Sequence, residues 1–222
     1  MTLTLYSNYV NSAGERVRIA LALKGVEYDY VSVGQIGRTA FREINPQGLM
    51  PAISINGKVV QQATAILEWL EETWPTPPIL PADPIIRAQA RGFAQAITSE
   101  MHAIDVIRVR RFLGNELEMD ADSIDRWQMH WFHTGFAALE ELLSRRETRW
   151  TCCFSDTPGW ADLHLIPQVR KGLTRFNVDM TEYPLIGGVY DTCKDHPAFI
   201  AAMPEQQPDW PGQIIEPVIE AG

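Results

Sequence analysis

The feature that most constrains the fold is a change of periodicity at Trp74-Pro75-Thr76-Pro77-Pro78, where three prolines in four positions remove backbone donors and end any helix that reaches them. Before this break, β-patterned runs alternate with helical ones. After Pro84 no run reads as a strand. The chain therefore divides into an α/β part over residues 1–80 and an all-α part over residues 84–222, and its length of 222 residues suits one or two domains. With 45% hydrophobic and 21% charged residues, either arrangement can bury a core.

In the first part, Leu3-Thr4-Leu5-Tyr6 alternates as a short strand does, and Asn11-Ser12-Ala13-Gly14 offers turn and N-cap chemistry. From Arg16, the residues Val17, Ile19, Ala20, Leu21 and Leu23 predict a helix covered on most sides, ended by Lys24-Gly25. Residues 28–33 read as a second strand, and a right-handed crossover makes a βαβ unit. A short helical piece over residues 39–44 leads to Asn45-Pro46-Gln47-Gly48. Two strands then flank an Asn56-Gly57 hairpin turn, and a helix runs over residues 62–72. In the second part, residues 85–112, 123–143, 160–173 and 184–193 read as helices, and the tail from Pro204 is too rich in proline to continue them.

Charge and composition exclude several functions. A net charge of −9 disfavours nucleic acid, whose affinity comes from lysine and arginine displacing counterions. No apolar run approaches the roughly 20 residues of a membrane span, and residues 1–9 lack the basic start and apolar stretch of a signal peptide, so a cytoplasmic location is expected. Cys152, Cys153 and Cys193 do not form a disulfide framework and are expected to be reduced. His130 and His133 fall one turn apart with no further ligand nearby in sequence, which fits a surface helix better than a metal site.

The order strand-helix-strand, strand-hairpin-strand-helix, then helices resembles the glutathione transferase fold, a thioredoxin-like domain followed by a helical bundle. Residues 15–28, Asn45-Pro46-Gln47-Gly48-Leu49-Met50-Pro51-Ala52, residues 65–77 and Pro167-Gln168-Val169 are similar to the zeta class, the maleylacetoacetate and maleylpyruvate isomerases. The resemblance runs from Leu3 to about Asp209. It implies glutathione as cofactor, a small unsaturated carboxylate as substrate and a homodimer. It also implies a cis bond before Pro51, with the Met50 backbone pairing with the cysteinyl amide of glutathione.

The family's chemistry needs a glutathione thiolate at the start of the first helix, where the dipole, free amides and a hydroxyl stabilise it. Where zeta enzymes carry Arg-Ser-Ser-Cys-Ser-Trp-Arg or a near variant, this chain has Val10-Asn11-Ser12-Ala13-Gly14-Glu15-Arg16. Asn11 takes the place of the first serine and Ala13 that of the cysteine, which leaves Ser12 as hydroxyl and Asn11 as amide donor. Gln62 matches the residue at the γ-glutamyl carboxylate, but the serine after it is Ala63, so that anion site is weakened. Residues 34–39 are shorter than in typical relatives. No cysteine lies near residues 11–14, which argues against thiol-based redox chemistry.

In the helical part, Arg175 matches an arginine that zeta enzymes use at the substrate carboxylate, and its planar fork suits that anion. His102 matches a histidine that precedes an Asn-Asn pair in some maleylpyruvate isomerases, with Asp105-Val106 here in place of the asparagines. Arg108 and Arg111 lie three apart and share a helix face that could receive an anion, with Arg110 pointing elsewhere. Gly159 keeps a helix-cap position without a hydroxyl, and Asp162 remains to bond free amides. These residues support an isomerase. Conjugation or dehalogenation by the same thiolate, catalysis without glutathione, and a non-catalytic binding module remain open alternatives.

Overall fold

The computed structural model describes residues 2–214. These form two compact units, the first comprising the chain up to Leu80 with Cys193–Ile214, the second Pro81–Thr192.

The first unit opens with β1 (Leu3–Ser7), α1 (Ser12–Lys24), β2 (Asp29–Ser32), α2 (Val33–Ile36), α3 (Arg38–Ile44), β3 (Ala52–Ile55), β4 (Lys58–Gln61) and α4 (Ala63–Thr73). The strands make one sheet in the order β2-β1-β3-β4. β1 and β2 are parallel from Thr4 opposite Asp29 to Ser7 opposite Ser32, whereas β1 and β3 are antiparallel from Leu3 opposite Ile55 to Tyr6 opposite Ala52. The β3–β4 hairpin turns at Asn56 and Gly57 with φ of 49° and 82°. Two successive positive φ values match the strand twist, and Asn-Gly adopts them at little cost. This is the α/β arrangement that the alternation of patterns implies.

β1 shows why the sheet is covered on both faces. Leu3, Leu5 and Ser7 are buried, while Tyr6 points the other way into a cluster with Val33, Phe41, Ala52 and Met50. α1 and α4 pack on each other, and Val17, Leu21, Ile66 and Leu70 are fully buried. At the end of α1, Gly25 adopts φ 63° and the buried Lys24 Nζ donates to Glu71 Oε2 at 2.6 Å, Trp74 O at 2.6 Å and Pro77 O at 3.0 Å. Glu71 in turn accepts from the amides of Ile79 and Leu80. One ion pair thus fixes both the helix end and the proline-rich break.

In the second unit, α5 (Pro84–Gln95), capped by Asp83, runs into a π-helical segment at Ala96–His102. After a break come α6 (Ile107–Arg111), a second π-helical segment at Phe112–Glu116, α7 (Ala121–Ser144), α8 (Trp160–Phe176) and α9 (Pro184–Cys193). The single helix expected over residues 85–112 is therefore interrupted. Asp105 supplies the reason. Its buried carboxylate accepts from Gln128 Nε2 at 3.0 Å, Gln168 Nε2 at 3.2 Å and Lys171 Nζ at 2.6 Å, and its carbonyl also bonds Gln128 and Lys171. A carbonyl engaged by side chains of α7 and α8 is lost to the helical ladder.

Asp162 accepts from the amides of Cys153 and Gly159, each at 2.8 Å, and so carries the cap that Gly159 cannot. Cys152 and Cys153 are fully buried free thiols, and burial pushes the Cys153 thiol well above its ordinary range. The chain then returns to the first unit through α10 (Pro197–Ala201), which packs on α1, and a 3-10 turn at Pro204–Gln206. Cys193–Ile214 thus belongs with the first unit, whereas the sequence predicts a helical domain running over residues 84–222. Arg18 on α1 explains it, since Nε and Nη2 donate to the Ala202 carbonyl at 3.1 and 2.9 Å.

Candidate active site

Residues 8–11, between β1 and α1, carry the first group of candidates. Asn11 is extended, with φ −152° and ψ 97°. Its side-chain oxygen accepts from the Gly14 amide, and its carbonyl from the Glu15 amide at 2.7 Å. With those donors engaged, the amides of Ser12 and Ala13 are left at the positive end of a 13-residue helix whose first residue, Ser12, is half-buried. Capping commits the Asn11 oxygen, so the Nδ2 group is what it can offer a ligand.

Gly14 is required by the packing of this helix start on β1. A Cβ there would stand 2.0 Å from Ser7 Oγ and 2.7 Å from Asn11 Oδ1. Ser7 is fully buried and its hydroxyl accepts from Arg18 Nη1 at 3.3 Å, so moving it out of the way breaks a second contact. Arg16 and Arg18 lie buried on the same helix. Burial lowers both guanidinium groups, Arg16 to about 10, with Glu15 opposing. Neither arginine has a pattern that marks it as buried in sequence.

The second group surrounds the start of β3 and α4. The Met50–Pro51 peptide is cis, as the resemblance implies. The β1–β3 ladder ends at Ala52, which places Met50 beyond it. The loop before it is shaped by Asn45, a buried residue that the sequence reading passed over: Nδ2 donates to Leu49 O at 2.7 Å and Oδ1 accepts from the Gln47 amide at 3.2 Å. Gln62 caps α4 with φ 72° and ψ 120°, a left-handed conformation that a non-glycine residue holds only where its surroundings enforce it. Its Nε2 donates to Gln47 Oε1 at 2.7 Å, and its carbonyl accepts from the Ile66 amide at 3.0 Å. Ala63 is buried at the first helical position and brings an amide but no hydroxyl.

The third group belongs to the second unit. Arg175 Nη2 and Arg110 Nη2 each stand 4.0 Å from the same Oδ1 of Asp125, and the Arg175 guanidinium lies 5.2 Å over the Phe176 ring. Lys171 joins them, since burial pulls its ammonium down, Asp105 opposes this, and Arg175 and Arg110 add to it. The structure thus gathers Arg110, Lys171 and Arg175. Arg108, favoured by spacing, is exposed on α6, and it is Arg110 that sits with Arg175. His102 is half-buried at the end of the π-helical segment. His133 Nδ1 is 2.7 Å from the Tyr183 hydroxyl.

A sheet in the order β2-β1-β3-β4 with α1 starting at its β1–α1 turn, in a chain that continues as helices, is the thioredoxin-like and helical architecture that the resemblance implies. Residues 12–73 match the glutathione S-transferase N-terminal domain. The chain is 40% identical to a maleylpyruvate isomerase from Ralstonia over 210 residues, covering 92% of this chain and 98% of that protein. Among solved structures, holo maleylpyruvate isomerase, a bacterial zeta-class glutathione S-transferase, aligns with a TM-score of 0.88 at 40% identity, covering 93% of this chain and 99% of that one. Maleylacetoacetate isomerase from Methylobacterium extorquens, with malonate and glutathione bound, aligns with a TM-score of 0.87 at 34% identity, over 94% and 99%. The chain belongs to the glutathione transferase family, in its zeta class.

Proposed function

We propose that this chain is a glutathione-dependent cis-trans isomerase of a small unsaturated carboxylate of the maleylpyruvate or maleylacetoacetate type. The carrying observation is the start of α1, where Asn11 caps Gly14 and leaves the Ser12 hydroxyl with two amides at the positive helix end. Glutathione, when bound, supplies a thiolate able to add to the substrate's double bond and leave again after rotation. Ser12 donates a hydrogen bond to that sulfur, and the helix end holds it anionic. The Met50 backbone receives the cysteinyl amide, and the α4 start, with Gln62 and the Ala63 amide, receives the γ-glutamyl carboxylate.

In the second unit, Arg175 orients the substrate through its carboxylate, with Arg110 as a further cation. Arg108, by its spacing on α6, and His102, by resemblance, are further substrate-contact candidates. The functional unit is a cytoplasmic homodimer. The absent hydroxyl at Ala63 favours a second reading, in which the enzyme turns over its substrate without glutathione. Following maleylpyruvate conversion by ultraviolet absorbance with and without glutathione separates the two. Activity that depends on glutathione and falls in Ser12→Ala supports the first, whereas equal rates without it support the second.

A further inference from the structure

The turn that presents Ser12 has no regular secondary structure of its own, yet its main-chain groups are held by residues far away in sequence. Arg18 Nη1 donates to the Asn8 carbonyl at 3.3 Å and Nη2 to the Tyr9 carbonyl at 3.4 Å. From the other side, Asp209 Oδ2 accepts from the Tyr9 amide at 3.2 Å and from Ser32 Oγ at 2.8 Å, and Oδ1 accepts from the Tyr30 hydroxyl at 2.9 Å. The Trp210 ring stands edge-on to Tyr9 at 5.4 Å.

The segment bearing Asp209 is itself tied down. Gln207 Nε2 donates to Ala201 O at 3.0 Å and Met203 O at 2.8 Å, and Arg18 anchors Ala202. One carboxylate therefore joins the edge strand β2, the turn before α1 and the returning chain. Burial pushes the Tyr30 phenol up and its bond to Asp209 pushes it further, so it stays a neutral donor to that carboxylate at working pH.

We propose that residues 202–210 act as a clasp on the Ser12 turn and that Asp209 is a positioning residue, fixing Tyr9 so that Asn11 and Ser12 meet the reacting sulfur in one geometry. The claim rests on the reading of Ser12 given above. A turn released from Asp209 keeps its fold through Arg18 and the Asn11 cap but samples more positions. Such loosening lowers the rate more than it weakens binding, because the hydroxyl is needed most where charge returns to sulfur.

The test uses the full-length protein, with Asp209→Ala and Asp209→Asn compared by hydrogen exchange and by isomerase kinetics below their melting temperatures. In Asp209→Ala, peptides over residues 8–14 should exchange about tenfold faster while those of the β3–β4 hairpin do not change, and kcat should fall about tenfold with KM within about twofold. Asp209→Asn keeps one acceptor for Tyr9 and should fall between wild type and alanine. If Asp209→Ala does not fold, Asp209→Asn and Trp210→Leu carry the comparison, each expected to show the same pattern more weakly.

Unchanged exchange over residues 8–14 in every folded variant overturns the clasp. Faster exchange with unchanged kcat overturns the positioning role, and equal effects of asparagine and alanine would assign the result to charge rather than geometry, overturning it as well. A wild-type protein that neither binds glutathione nor isomerises any acid would instead sink the proposed function, and the exchange result would then decide the clasp by itself.

Discussion

The turn that carries Ser12 and the cluster that carries Arg175 both rely on arginine, in opposite ways. Arg18 is 1% exposed and directs its donors at Ser7, Asn8, Tyr9 and Ala202, all within the fold. Arg110 and Arg175, with side chains 13% and 18% exposed, each stand 4.0 Å from Oδ1 of Asp125, a side chain 57% exposed. A buried cation with several internal acceptors is fixed in place. An ion pair to a solvated carboxylate at the limit of contact is weak. On the function proposed above, the difference separates an arginine that builds the site from arginines that bind in it.

The largest effect is expected at Arg18. Replacing it by methionine keeps part of its bulk but leaves the carbonyls of Asn8, Tyr9 and Ala202 without their charged donor. Stability should fall by about 3 kcal/mol or more, read as a lower denaturant midpoint with unchanged slope. A loss below about 1 kcal/mol would mean that the guanidinium's desolvation nearly cancels its bonds and that the turn is held elsewhere.

Arg175→Lys should do the reverse. Lysine keeps the charge but loses the fork, so KM for maleylpyruvate should rise about tenfold, kcat should change less than about threefold, and stability should stay within about 0.5 kcal/mol. Unchanged kinetics would remove Arg175 from the substrate site, and a large loss of stability would place it with Arg18 as a structural arginine.

Local chemistry explains what the sequence made legible. The Asn56-Gly57 turn, the cap at Asn11 and the stop at Gly25 each follow from what one or two residues can do with their backbone, and the structure has all three. Long-range contacts explain what stayed hidden. The apolar spacing of residues 85–112 runs on as if one helix continued, because the break is made by Gln128 and Lys171 reaching the Asp105 carbonyl from other helices. That Arg110 shares Asp125 with Arg175 stayed hidden for a related reason, since the break and its π-helical neighbour restart the helix at Ile107 and the face is set from there. Nothing local in Gln207-Pro208-Asp209-Trp210 says that it returns to β2, and α1 gives no sign that Arg18 holds it there.

Ala63→Ser tests the glutathione half with a smaller expected effect. On the function proposed above, a hydroxyl at the first position of α4 adds one hydrogen bond to the γ-glutamyl carboxylate held at the Ala63 amide. Calorimetry should show glutathione binding three- to tenfold tighter, about 0.5 to 1.5 kcal/mol. No change would mean that Gln62, held at φ 72° against Gln47, already satisfies that anion or that glutathione enters differently.

The smallest effect, and the one that most sharpens the contrast between the two kinds of arginine, belongs to Asp125→Asn. If Asp125 occupies the place of the substrate's carboxylate between Arg110 and Arg175, it competes with substrate, and removing its charge should lower KM for maleylpyruvate about twofold with kcat unchanged. The gain should shrink at high salt, because an exposed carboxylate is screened whereas a bidentate contact to bound substrate is screened less. Arg108, exposed on the same helix as Arg110, is tested by the same experiment: adding Arg108→Gln to Asp125→Asn leaves the fold-change as it is if Arg108 stands clear of the substrate, and raises KM if it contacts it. If KM rises instead, Asp125 orients the two arginines rather than competing for them. The cluster would then be preorganised like the Ser12 turn, and the distinction between building and binding arginines would fail in this unit.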